Sequence, residues 1–166
     1  MSYIHPRDKR PLGQRLANAA LAVAYGDKQA HTQPTLSGCS VSTDGRSIVV
    51  SFDAQRLGGD TVLVQKYSAA QEGASAMEVL DTATGNWSFV DVQAASASSV
   101  KVLLKAGISA VSIRYAWGDN PCCGSNNRTV TPCPPASCPL LTERTSEPAV
   151  PFQAAIKDGK CVLVIV

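Results

Sequence analysis

His5 is the residue of this chain best placed for bond-breaking chemistry. It lies in the stretch Ile4-His5-Pro6-Arg7-Asp8-Lys9, directly ahead of an amphipathic helical pattern. Imidazole titrates near neutrality, so a histidine held in a loop by a helix behind it can act as a general base. Position alone fits an exposed or capping histidine better. Asp8 is the nearby carboxylate, but Pro6 constrains the backbone between the two. A Gly-Asp-Ser or Gly-x-Ser-x-Gly block, which would present a nucleophilic serine, does not occur in the 166 residues.

Six cysteines form the second reactive group. Cys122, Cys123, Cys133 and Cys138 crowd among Pro121, Pro132, Pro134, Pro135 and Pro139, while Cys39 and Cys161 stand apart. An even count in a loop-like, proline-rich segment reads as disulfides, with the pairing open. Free thiols and a zinc site are the alternatives, and the zinc reading lacks the Cys-x2-Cys knuckles that set four thiolates tetrahedrally. Asn86-Trp87-Ser88 and Asn127-Arg128-Thr129 make Asn86 and Asn127 candidate glycosylation sites. Disulfides and glycans together would suit an extracellular or lysosomal protein.

Trp87, Tyr115 and Trp117 raise a further possibility, aromatic faces on which a sugar could stack. Strand aromatics more often fill a core, and packing is the expectation here. Arg114 is expected to be a structural ion-pair partner or backbone donor, although a bidentate arginine also suits a carboxylated sugar.

The elements that must position these residues are of two kinds. Pro11 suits a first helical turn. Leu12, Leu16, Ala19, Ala20 and Val23 then recur at helical spacing, and Gly26 stands where a left-handed cap would close the helix. This stripe is expected to bury against something. From Pro34 onward the period changes. Residues 47–52, 61–67, 77–80, 87–92, 100–104, 111–115 and 161–166 are short β-branched runs, and Thr84-Gly85-Asn86 reads as a hairpin connection. The Ala- and Ser-rich stretch 93–99 reads as a loop. The fold class is therefore mainly β, a β-sandwich of Greek-key or jelly-roll type preceded by a helical fragment, with residues 1–33 and 34–166 as its two parts.

Charge excludes little, since the net charge is +2. Arg7, Lys9, Arg10 and Arg15 cluster without interleaved aromatics and read as a solvated face, so no nucleic-acid partner is expected. No apolar run approaches a membrane span, and Asn18 interrupts the one stretch that imitates a signal peptide.

Three blocks in order carry a family resemblance. His5-Pro6-Arg7-Asp8-Lys9 continues through Gly13-Gln14-Arg15-Leu16 to Ala24-Tyr25-Gly26. Ile113-Arg114-Tyr115-Ala116-Trp117-Gly118-Asp119-Asn120-Pro121-Cys122 follows far downstream. Cys138-Pro139 and Pro148-Ala149-Val150-Pro151-Phe152 complete the set. These resemble the C-terminal portion of the sialate O-acetylesterases, SGNH-type carbohydrate esterases. The resemblance implies an α/β SGNH hydrolase domain whose last loop and helix are residues 1–33, followed by an accessory β-sandwich. It implies His5 as the base of a catalytic triad, no cofactor, and O-acetylated sialic acid or another acetylated sugar as substrate. Where the family has the triad aspartate this chain has Ser2, and a serine cannot supply the charge that stabilises an imidazolium. The nucleophile and oxyanion-hole blocks belong to an upstream segment of the family. The chain alone is thus expected to be inactive, with a non-catalytic carbohydrate-binding or structural module as the alternative.

Overall fold

A computed structural model describes residues 9–27, 33–65, 76–117, 122 and 135–163. Helix α1 spans Arg10–Val23, with Pro11 in its first turn as the sequence predicts. Its end comes slightly earlier than expected. Ala24 is the cap, and Gly26, at φ 68°, turns the chain so that the Asp27 N–H reaches the Leu21 carbonyl at 2.9 Å.

The strands are β1 (Leu36–Val41), β2 (Ser47–Phe52), β3 (Val62–Val64), β4 (Met77–Asp81), β5 (Trp87–Phe89), β6 (Asp91–Ser96), β7 (Ser99–Leu103), β8 (Ala110–Tyr115), β9 (Leu140–Thr142), β10 (Phe152–Lys157) and β11 (Lys160–Leu163). A short helix α2, Ala54–Leu57, follows β2. Its N-terminus is capped by the Asp53 carboxylate, and it is closed by Gly58 at φ 56°. Nine strands form one antiparallel sheet in the order β5-β4-β8-β10-β11-β1-β2-β7-β6, and β3 pairs with β9 separately.

Register puts the apolar side chains in rows. Met77, Tyr115 and Phe152 align across β4, β8 and β10, as do Val79, Ile113 and Ala154. On the other half, Cys39, Val50 and Val100 align across β1, β2 and β7. Residues of both halves belong to one buried cluster, so the sheet folds over on itself into a mainly-β, sandwich-like domain. Tyr115 lies 5.9 Å from the Phe152 ring, centroid to centroid, and its hydroxyl accepts the Leu140 N–H at 3.3 Å, tying β9 to the core.

Two expectations need correction, and three strands were not anticipated. Residues 93–99 are not a loop: β6 runs through 96 and β7 starts at 99. Their small polar side chains form an exposed edge strand whose backbone is paired by β7, so partner pairing overrides weak β-propensity. Residues 87–92 are two strands, because Val90 turns into the core between β5 and β6. Strands β1, β9 and β10 carry too many glycine, serine, alanine or proline neighbours for a β-branched run to announce them.

Candidate functional site

His5, Ser2 and Asp8 lie outside the described residues, so the site begins with the helix that follows them. Arg15 Nε meets Glu147 Oε2 at 3.1 Å with both side chains largely shielded. Glu147 is itself fixed, since its N–H donates to Thr142 Oγ1 and its carbonyl accepts the Thr142 N–H. A cleft of about 150 Å³ lies along this contact, lined among others by Asn18, Ala19, Gln33, Thr35 and Val150. Drug-sized ligands occupy clefts of roughly 300–1,000 Å³, so this space is a packing seam.

The face that α1 turns toward the β-domain is not its apolar stripe. Arg15, Asn18, Ala19 and Ala22 are partly buried, whereas Leu16 is 63% exposed and Val23 78% exposed, with Leu12 also open. On a helix of 3.6 residues per turn the two faces are about a quarter turn apart. The stripe was expected to be buried; Ala19 and the cleft-lining edge of Val23 reach the seam, while Leu12 and Leu16 do not line it. The Arg15–Glu147 pair selects the face that meets the sheet, and the leucines point elsewhere.

Of the three buried carboxylates among the described residues, Glu78 is paired with Arg114, and Asp60 and Asp81 are the acid–base candidates that sequence reasoning did not single out. Both are anchors. Burial pushes the Asp60 carboxyl up, but N–H groups of Arg144, Thr61 and Thr145 and the Thr145 hydroxyl outweigh it and hold it below the usual range. Asp81 is likewise lowered, chiefly by the Ser109 N–H at 3.0 Å, with burial opposing and the Thr84 hydroxyl assisting. Carboxylates so fully engaged staple loops and have little capacity left for proton transfer.

The outer face of β4, β5, β8 and β10 holds the remaining chemistry. Register aligns Phe89, Glu78, Arg114 and Gln153 across these four strands. Arg114 binds Glu78 with both ends of its fork, Nε to Oε2 and Nη2 to Oε1, each at 2.8 Å. Its guanidinium lies 4.0 Å over the Trp87 ring. The expected structural ion pair is therefore present, and Tyr115 is core as expected. Trp117 is not, being 46% exposed, and Trp87 packs on an arginine outside the core. Phe89, 51% exposed on the same face, was not legible as a site residue; its place beside Trp87 at i+2 is the signal that could have found it.

Disulfides join Cys39 to Cys161 and Cys122 to Cys138. Cys123, Cys133 and Asn127 fall outside the described residues. Asn86 is exposed in the turn before β5. Among the described residues no cluster of His, Cys, Asp or Glu is placed to hold a metal ion, and no described helix is long and apolar enough to cross a membrane.

Fold and site define a mainly-β, disulfide-clamped domain carrying a helix whose leucines Leu12 and Leu16 are exposed. Neither a protein-family model nor a curated protein matches the sequence. Among solved structures, it is similar to a carbohydrate acetylesterase from Xanthomonas citri, with 26% identity and a TM-score of 0.63. The similarity covers 92% of this chain and 29% of that one, so the chain spans less than a third of its structural relative.

Proposed function

We propose that this chain is the C-terminal portion of a carbohydrate esterase, with residues 1–33 completing an SGNH-type hydrolase domain and 34–166 forming its accessory β-domain. The similarity to part of an acetylesterase supports this reading. The observation that carries it is the outward part of the α1 stripe: Leu12, Leu16 and the open side of Val23, whose other edge lines the seam, form an apolar face of the kind that seeks a partner. In this reading the partner is the rest of the hydrolase domain, in which α1 is one wall.

The substrate is an O-acetylated sugar, O-acetylated sialic acid in the finer reading. A serine of the hydrolase portion attacks the acetyl carbonyl while His5 takes its proton. The sugar oxygen leaves with that proton, giving an acetyl-serine. Water then attacks the acyl group, His5 relays its proton back to the serine, and acetate departs. Ser2 removes the family's usual source of imidazolium stabilisation, which leaves Asp8 or a carboxylate of the hydrolase portion to orient His5. The disulfides fit an oxidising, extracellular or lysosomal setting, and Asn86 is accessible to glycosylation there.

Acetate release from O-acetylated sugars by the purified 166-residue chain tests the division of labour. No release is expected from the chain alone, and release is expected once a hydrolase portion bearing a Gly-Asp-Ser-type block is added. Robust His5-dependent hydrolysis by the chain alone would contradict the proposal.

A further inference from the structure

We infer that the outer face of β4, β5 and β8 is a binding platform for a neutral sugar, built on Phe89 and Trp87 and independent of the esterase chemistry. Phe89 and Trp87 alternate along edge strand β5 and so share one face, about 7 Å apart along the strand. Trp87 is immobilised by the Arg114 guanidinium, which is itself held at both ends by Glu78. An aromatic surface fixed in this way loses little rotamer freedom when a ligand lies on it. Phe89, half-exposed, offers the open ring, and Glu78, Arg114 and Gln153 stand in register beside it.

Charge decides the ligand class. Two N–H groups of the Arg114 fork are occupied by both Glu78 oxygens, so the pair is neutral as a unit and has no free fork for a carboxylate or phosphate. Each member keeps some hydrogen-bonding capacity at the edge it shows to solvent, the side chains being 18% and 12% exposed: the guanidinium has further N–H groups, and each carboxylate oxygen a further lone pair. Flat apolar rings beside neutral donors and acceptors fit a pyranose, which has C–H faces and equatorial hydroxyls. An acidic sugar would have to break the ion pair to be held. This face shares no residue with the α1 seam.

The full chain carries two tryptophans, Trp87 and Trp117, so intrinsic fluorescence reads the platform. Titration with xylohexaose and cellohexaose, and separately with free N-acetylneuraminic acid, is the test. A saturable change with at least one neutral oligosaccharide is expected, about tenfold weaker in Phe89→Ala, retained in Phe89→Tyr and in Trp117→Ala, and absent with the acidic sugar. Unaltered thermal melting of the Phe89 variants separates lost binding from lost fold. Absence of any response to the neutral oligosaccharides, an undiminished response in Phe89→Ala, or a response to the acidic sugar alone would overturn the inference. None of these outcomes depends on His5 or on acetate release.

Discussion

At Asp60, burial and hydrogen bonding pull in opposite directions, and the hydrogen bonds win. The folded carboxyl therefore takes up its proton at a lower pH than the unfolded one, whose ordinary value is 3.8. Its contribution to stability is complete above that value and is lost as pH falls through the depressed one. Hydrogen bonds to a charged group contribute about 1.5–3 kcal/mol. Asp60→Asn should lower unfolding stability by about that much at neutral pH and flatten the acid limb of the profile; urea unfolding at neutral and acid pH measures both. An unchanged acid limb would mean that Asp60 is not the anchor. Legibility at this scale was uneven. Arg114 was readable as an ion-pair residue because a charged side chain inside a β-branched run needs a partner. Glu78 was not readable as that partner, since strand order, which the sequence does not display, brings β4 beside β8.

Among the elements, the junction of β1 with β11 is the seam between the two halves of the large sheet. Its ladder shows one register pair, Ser40 with Lys160, where neighbouring junctions show four or five. Cys39–Cys161 crosses that seam and joins positions 122 residues apart. A cross-link closing a loop of that order restrains the unfolded chain by about 4–5 kcal/mol in the entropy model. Replacing both cysteines by alanine should cost most of that, and denaturant unfolding without reductant would show it. A loss below about 1 kcal/mol would show that the short ladder suffices. Helix α1 yields a different prediction. Leu16 is exposed, and exposed substitutions usually change stability by less than about 0.5 kcal/mol. Leu16→Glu should leave the chain's melting unchanged while weakening acetate release by the complete enzyme, because it would bury a charge in the proposed domain interface. Equal effects on both would place the stripe inside this domain. Strands with β-branched runs, β2 and β7 above all, were visible in the sequence. Strands made by their partners, such as β6 with its alanines and serines, were not.

The whole molecule pairs a self-contained β core with a helix committed outward. The mainly-β class was legible because its period-two runs and turn residues are local signals. The folding of one sheet over itself and the choice of helix face depend on long-range pairing, so they were not. The exposed leucines of α1 are the observation on which the proposal of a larger catalytic body rests, and the likeness to part of an acetylesterase supports that proposal. The most direct test is acetate release from an O-acetylated sialoside by the native polypeptide that contains this chain, compared with its His5→Ala variant. The account predicts turnover in the native protein and a loss of about 10²–10⁴-fold in the variant, the range of a removed general base. Native protein that releases no acetate, or a variant that releases it at the native rate, would contradict it.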